Sequence, residues 1–278
     1  MMYFAALPHI SVKADEVLSI AGWPVTNANL VGLLGLLLLV WLMFRTRSAV
    51  LGRKKANFAT RLVVWCFEGL YDTVNQVITD RKWARRVAPL VITMFFFIAA
   101  QYWLGLLPIV GPVTVGEHST PLFRGQNADL NMTFALAAVT IVMAQVYAVR
   151  ELGFVGNLKR YFVNPFRDPI MSFVGILELI AELSRLLSLS FRLFGNVLAG
   201  EILVAMIAYL TQMAMTAVLQ PFYIFELFIG SIQAYIFFML STVFISIGLT
   251  HHGDDEEKHT YSETSTPSGV KLVAGGAE

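Results

Sequence analysis

Five stretches of this chain are apolar enough and long enough to cross a lipid bilayer, and no other feature constrains its fold as strongly. The hydrocarbon core of a bilayer is about 30 Å thick, and a helix needs roughly 20 apolar residues to cross it. Three stretches have about that length, and two are longer: 25–44, 88–107, 130–149, Pro169 to about Gln212, and Pro221 to Thr250. The sequence therefore predicts an all-α, polytopic membrane protein with about five membrane helices.

The last two stretches are too long to stand upright in a membrane. As helices they would measure roughly 65 Å and about 45 Å. Unless they are broken, they must lie strongly tilted, and we expect them to be antiparallel neighbours. The composition agrees, because 56% of the 278 residues are hydrophobic and only 14% are charged, far from the usage of a soluble domain.

Basic residues are concentrated in two of the connections between these stretches. One side has only Lys13 and Arg124, whereas fourteen basic residues fall on the other: Arg45, Arg47, Arg53, Lys54, Lys55, Arg61, Arg81, Lys82, Arg85, Arg86, Arg150, Lys159, Arg160 and Arg167. By the positive-inside rule, the N-terminus is expected outside and the C-terminus in the cytoplasm. We therefore divide the chain into an external N-terminal segment (1–24), a membrane domain (25–250) and a disordered, Ser/Thr/Gly-rich cytoplasmic tail (251–278).

The first basic connection contains an amphipathic pattern. Phe58, Leu62, Trp65, Gly69 and Thr73 recur at helical spacing, which predicts a helix lying on the membrane surface.

The sequence contains no recognisable metal or nucleotide motif. Cys66 is the only cysteine, so neither a disulfide within the chain nor a cysteine-based metal site can form. The basic residues are confined to loops, which makes nucleic acid an unexpected partner. We expect no cofactor and no bound metal.

The fourth stretch carries more charge than a lipid-facing helix tolerates. A charged side chain in the hydrocarbon costs about 2.5 to 3.5 kcal/mol on insertion scales. Spacings of four and three residues place five polar side chains on one face: Glu178, Glu182, Arg185, Arg192 and Asn196. Such a stripe is expected to face water or a partner, with Glu201 further along the same helix.

The two arginines of this stripe differ in their neighbours. Arg185 lies three residues after Glu182 and seven after Glu178, so a salt pair within the helix can neutralise it. For Arg192 the nearest carboxylates, Glu201 and Glu182, lie nine and ten residues away, about 14 Å or more along the axis. Arg192 must therefore find its counter-ion on another helix or another protein.

The fifth stretch contributes Glu226 and Gln233, which are seven residues apart and share a face. If the last two helices are antiparallel and Gln233 lies level with Arg192, Glu201 and Glu226 come to similar depth near the outer side. Glu178 and Glu182 then fall on the inner side. An alternative for Glu226 is a carboxylate that interacts with the dipole at a helix start, five residues after Pro221.

Four motifs in this region carry a family resemblance. The run SLSFRLFGNVLAGE (Ser188–Glu201) closely resembles the SLxxRLFGNxxAGE signature of subunit a of F-type, rotary ATP synthases. Three other stretches agree: ADLN from Ala128, NPFRDP before the fourth membrane helix, and IQAYIFFMLSTVFIS (Ile232–Ser246). The resemblance covers about residues 85–250. The Asp129 carboxylate of ADLN is also explained as a helix N-cap.

The resemblance implies a stator subunit that is not itself catalytic and carries protons past a rotating c-ring. Arg192 would face the ring carboxylate, with Gln233 beside it. Asn196, Glu201 and Glu226 would line the outer half-channel, and Glu178 and Glu182 the inner one. With glutamate at both 201 and 226, which of the two titrates stays open. The implied partners are the c-ring, peripheral-stalk subunit b, the lipid bilayer and the translocated proton, and the implied location is a bacterial inner membrane.

Two other functions are weighed against this one. A self-contained secondary transporter is disfavoured because the sequence has no internal repeat and no matching pair of broken helices. A purely structural membrane subunit is disfavoured by Arg192, since an intramembrane charge is costly without a function.

Overall fold

The fold is an assembly of long helices with two small β-hairpins. The computed structural model describes residues 16–20, 23–52, 57–107, 114–115, 120–121, 124–161, 169–211 and 215–250. Six helices account for most of them: α1 (Asn27–Val50), α2 (Phe58–Val77), α3 (Arg81–Gly105), α4 (Leu130–Tyr161), α5 (Pro169–Thr211) and α6 (Met215–Thr250). A single 3-10 turn, Gln126–Ala128, precedes α4.

Five of the six helices are long and apolar enough to span a membrane, namely α1 and α3 to α6. The predicted all-α, polytopic architecture is confirmed. The spanning part of α5 has 40 residues and that of α6 has 32, about 60 Å and about 48 Å of helix. Both exceed a bilayer core of about 30 Å, so each must tilt in the membrane.

Helix α2 is the predicted amphipathic helix. Its outward face exposes Phe58 at 83% and Trp65 at 73%, while Leu70 and Val74 are buried in the protein core. A helix that exposes large aromatic residues along one side and packs into the bundle along the other is suited to the membrane surface.

The two hairpins were not predicted from the sequence. Strand β1 (Glu16–Ile20) pairs antiparallel with β2 (Trp23–Thr26), directly before α1. Strand β3 (Thr114–Val115) pairs with β4 (Thr120–Pro121) in the connection between α3 and α4. Strands of two to five residues offer too few positions for a recognisable alternating pattern.

Helix boundaries differ from the apolar stretches because hydropathy detects only the part of a helix that lies in hydrocarbon. Helix α3 begins at Arg81, where the Asp80 side chain accepts a hydrogen bond of 2.8 Å from the Lys82 backbone N–H. Helix α4 continues to Tyr161 across a kink at Gly153, whose φ is 76°. Helix α6 begins six residues before Pro221 and includes it, as helices in membranes tolerate.

Two apolar clusters hold α3, α4, α5 and α6 together. One contains Trp83, Val87 and Ile245, and the other contains Ile98, Leu193 and Phe237. Helix α3 contributes to both clusters and packs against α6, while α4 packs against both α5 and α6, so these two helices set the heights at which the polar side chains of α5 and α6 lie.

Some predictions fall outside the described residues. The tail 251–278, residues 1–15 of the N-terminal segment and residues 164–168 of the NPFRDP motif are among them.

Candidate functional site

Arg192 lies near the middle of α5 with an exposed side chain. Its Nη2 lies 3.5 Å from Ser188 Oγ on the same helix. Among the described residues the one ion pair within 4.0 Å joins Arg124 and Glu201, so no described carboxylate pairs with Arg192. A guanidinium in the middle of a membrane span requires a counter-charge. Because the Arg192 guanidinium is exposed on the surface of α5, that counter-charge can come from another chain.

Small residues lie close to Arg192 on its face of α5, while large apolar side chains are exposed at other angles around the helix, including Ile180, Leu183, Leu187 and Phe191. Gly195 and Ala199 are exposed directly beyond Arg192, and nothing lies within 4 Å of a Cβ built at Gly195. Small residues allow another helix to approach closely in a membrane, so this face can receive a helical partner at the height of the guanidinium.

Helices α5 and α6 are antiparallel, as predicted. Asn196 Nδ2 donates a hydrogen bond of 2.8 Å to Gln233 Oε1. Gln233 is therefore level with Asn196, about one turn from the predicted level of Arg192. Following the predicted orientation, we call the end where α5 ends and α6 begins the outer end of the bundle.

Glu226 lies toward the outer end and is only 2% exposed. The Tyr102 hydroxyl of α3 donates a hydrogen bond to Glu226 Oε1. A Cβ at Gly200 would lie 1.8 Å from that same oxygen, so glycine is needed there for the carboxylate to fit against α5. The alternative of a carboxylate at a helix start is wrong, because α6 begins at Met215 and the helix dipole acts only within the first turn.

Glu201 has a different partner. Its Oε2 lies 3.8 Å from Arg124 Nε, and the side chains of Glu201 and Arg124 are 36% and 9% exposed. Glu201 and Glu226 line the same small cavity, together with Tyr102, Gln101, Asn127 and others. The structure thus brings the two predicted outer carboxylates together, one held by a hydroxyl and the other by a guanidinium.

Glu182 lies in a polar cluster toward the inner end. Gln145 Nε2 and the Tyr161 hydroxyl both donate to Glu182 Oε1, and Asn157 Nδ2 donates to Gln145 Oε1 at 3.0 Å. Glu182, Gln145 and Arg185 line a second small cavity. Glu178 is partly buried one turn further toward the inner end.

The possible salt pair of Arg185 is not found among the described residues. No carboxylate of that part of the chain lies within 4.0 Å of its guanidinium. Arg185 Cζ instead lies 5.4 Å from the ring centroid of Phe244 on α6, a distance suited to a cation–π contact. Glu182 is held by α4, which leaves Arg185 facing the cavity.

The two cavities share no lining residue, and they lie on opposite sides of Arg192 along α5. Leu189 and Leu193, three residues before and one residue after Arg192, are buried and pack in the core between the two cavities. A proton cannot hop through closely packed leucine side chains, because they offer neither a donor nor an acceptor.

Sequence reasoning missed several polar residues that line these cavities or belong to the hydrogen-bonded cluster around Glu182: Tyr102, Gln101, Asn127, Gln145, Asn157 and Tyr161. None of them interrupts the hydropathy of its segment enough to stand out. Arg124 offered the clearest signal, as one of only two basic residues on its side. The helix N-cap at Asp129 is confirmed, since its Oδ1 accepts a hydrogen bond of 3.0 Å from the Asn131 backbone N–H at the start of α4.

The residues that the structure describes contain no group of three or more His, Cys, Asp or Glu side chains able to hold a metal ion.

Comparison with known proteins gives a consistent result. The family model for the ATP synthase A chain matches residues 29–246. Among curated proteins, ATP synthase subunit a of Enterococcus hirae is 35% identical over 189 residues, which cover 64% of this chain and 75% of that protein. The subunits a of Buchnera aphidicola and Pseudoalteromonas atlantica are each 32% identical, over 67% of this chain and 71% and 76% of their own lengths.

Proposed function

The chain belongs to the ATP synthase A chain family, and from that premise we propose that it is the proton-translocating stator subunit of a rotary ATP synthase. It is not itself catalytic and works with a ring of c-subunits and with the peripheral-stalk subunit b. The observation that carries this proposal is Arg192, exposed in the middle of α5 without a described carboxylate partner and placed between two separate polar cavities.

In this mechanism the outer cavity delivers protons to the ring. A proton reaches Glu226 or Glu201 and passes from that carboxylate, close to Asn196 and Gln233, to a carboxylate on a c-subunit. The neutral carboxylic acid can then rotate into lipid, because the cost of burying its charge is gone. The two carboxylates differ in their surroundings: Glu226 on α6 is buried and accepts from a tyrosine hydroxyl, whereas Glu201 on α5 is partly exposed and lies beside a guanidinium.

The inner cavity receives protons after the ring has turned. Glu182, fixed by Tyr161 and Gln145, and Glu178 beyond it would accept the proton and pass it to the cytoplasm. Arg192 stabilises the ionised ring carboxylate, keeps its charge because a guanidinium does not lose its proton in a protein, and separates the two pathways. The membrane field supplies about 2.3 kcal/mol per charge per 100 mV.

The proposal is tested by asking whether the chain transports protons alone or only with a ring. We expect it to copurify with an oligomeric ring of small, mostly helical subunits. Vesicles that contain the isolated chain should show no substrate uptake, whereas vesicles with the whole complex should synthesise ATP from a proton gradient. Substrate uptake by the chain without a ring would instead support a secondary transporter.

We also propose an external N-terminus and a cytoplasmic C-terminus in a bacterial inner membrane. Fourteen basic residues on one side against two on the other support this orientation. A protease added to the outside of intact cells should leave an epitope placed after Thr250 uncut, and the same protease should remove it from inverted vesicles. Removal of the epitope in intact cells would reverse the orientation.

A further inference from the structure

Exposed basic side chains are concentrated at the inner end of the bundle, where α3 begins and the membrane-spanning part of α4 ends. The indole Nε1 of Trp83, in the first turn of α3, donates a hydrogen bond of 2.9 Å to Glu151 Oε2 on α4, which brings the two helices together at this height. Four cations from α3 and one from α4 are exposed here, and we call them the basic patch: Arg81, Lys82, Arg85, Arg86 and Arg150.

The arginine nearest the protein core is held in place by aromatic residues. Arg86 Cζ lies 5.1 Å from the ring centroid of Trp83, a distance suited to a cation–π contact. Trp83 is 3% exposed, and its ring packs edge to face on that of Tyr147 with 5.9 Å between centroids. The Tyr147 hydroxyl also donates a hydrogen bond of 3.2 Å to the Arg86 backbone oxygen. Helices α3 and α4 therefore fix the position of the Arg86 guanidinium at the surface.

The basic patch has no acidic counterpart among the described residues. None of its five cations lies within 4.0 Å of a described carboxylate. The carboxylates of Asp80 and Glu151, at the same end of the bundle, accept hydrogen bonds from uncharged donors, the Lys82 backbone N–H and the Trp83 indole. The patch therefore keeps its positive charge at the surface.

The cations of α3 also repel one another. Arg81 and Arg85 are four residues apart, as are Lys82 and Arg86, and like charges at this spacing destabilise a helix. The buried side of the same two turns is formed by Trp83 and other apolar residues, so the four cations share the outward side. An anion from outside the chain would relieve this repulsion.

Helix α2 indicates the depth of the patch in the membrane. It ends at Val77, only three residues before α3, and its Leu70 and Val74 pack in the same cluster as Trp83. Its opposite face exposes large aromatic residues suited to the membrane surface. The 25 residues of α3 measure about 37 Å, more than the hydrocarbon core of about 30 Å. The first turns of α3 can therefore lie among the lipid headgroups.

We propose that the basic patch is a binding site for the headgroup of an anionic phospholipid, with Arg85 and Arg86 as its main contacts to the phosphate. A guanidinium can donate two parallel hydrogen bonds to phosphate oxygens, and basic pockets between membrane helices are known to bind anionic headgroups. The bound lipid would hold the start of α3 and the end of α2 at a fixed depth. This site goes beyond proton transport and does not depend on it.

The experiment uses two photoreactive lipids in vesicles that contain the assembled complex. A phosphatidylglycerol and a phosphatidylcholine carry the same diazirine near the headgroup end of an acyl chain, and each is added in the same small amount to a separate sample. After illumination, labelling of residues 78–92 is measured by mass spectrometry. The test variant is Arg85→Gln combined with Arg86→Gln. The matched control is Arg61→Gln, an exposed arginine of α2 that lies 16 residues, about 24 Å, before the end of that helix.

In the unchanged complex, phosphatidylglycerol should label this segment about fivefold more than phosphatidylcholine, the preference that one basic residue near a membrane surface provides. The ratio should fall toward one in the double variant and stay the same in Arg61→Gln. If the double variant does not assemble, the unchanged complex in 1 M salt provides the same test, because salt screens an exposed phosphate contact.

Three results would overturn the proposal: equal labelling by the two lipids in the unchanged complex, a ratio unaffected by both the double variant and salt, or no labelling by either lipid. The last result would show that a protein partner covers the patch. Labelling requires no proton transport, so its outcome is separate from a failure of the proposed function, which the Arg192 variants reveal.

Discussion

Arg192→Ala is expected to abolish coupled ATP synthesis while the complex still assembles. In the proposed mechanism the ring carboxylate ionises opposite the Arg192 guanidinium, whose positive charge stabilises it. At a separation of about 4 Å and an effective dielectric constant of about 20, a unit charge contributes on the order of 4 kcal/mol, which corresponds to about three orders of magnitude in an equilibrium. Removing it also removes the fixed positive charge that separates the two pathways where they meet the ring, so the passive proton leak should rise. Synthesis and leak are to be measured in the same vesicles.

Two further variants distinguish the guanidinium from its surroundings. Arg192→Lys keeps a positive charge but loses the planar group, and a buried lysine can release its proton, so synthesis should still be severely reduced. Ser188→Ala is the matched control, because it removes the hydroxyl that the Arg192 guanidinium contacts and leaves the guanidinium in place. This variant should leave synthesis nearly normal. Normal synthesis in a fully assembled Arg192→Ala complex would defeat the central proposal.

The double variant Glu201→Gln, Glu226→Gln is expected to reduce the rate of proton pumping by about two orders of magnitude. Removing a positioned proton donor and acceptor typically slows proton transfer by about this factor. Each single change should slow pumping less, because both carboxylates line the same cavity and one can partly replace the other. The rates are measured in vesicles that contain equal amounts of assembled complex. Normal pumping by the double variant would remove both residues from the pathway.

Control variants separate this effect from a general loss of acidic groups. Glu68→Gln changes an exposed carboxylate on α2 and should have no effect on pumping. Tyr102→Phe removes the hydroxyl that donates to Glu226 while leaving both carboxylates in place, so its effect should resemble that of Glu226→Gln in direction but be smaller. A full effect of Tyr102→Phe combined with none from Glu226→Gln would assign the role to the tyrosine.

Much of the fold could be predicted because it depends on local sequence. A run of about 20 apolar residues indicates a membrane helix whatever packs against it. The charged face of α5 likewise follows from helical spacing alone. The antiparallel register of α5 and α6 was predicted to within about one turn, since each helix carries its polar residues on a single face. Helix ends outside the hydrocarbon and short strands were not predicted, because neither has a hydropathy signature.

The sequence by itself determined the number of membrane helices and the position of an arginine with no carboxylate near enough on its own helix to pair with it. Only the tertiary structure decided which donor each carboxylate meets. Tyr102 and Glu226 are 124 residues apart and Tyr161 and Glu182 are 21 apart, and these pairs meet because α3 and α4 pack against α6 and α5. A tyrosine or glutamine within an apolar stretch contributes little to hydropathy or charge, so its role depends on the helix packed against it.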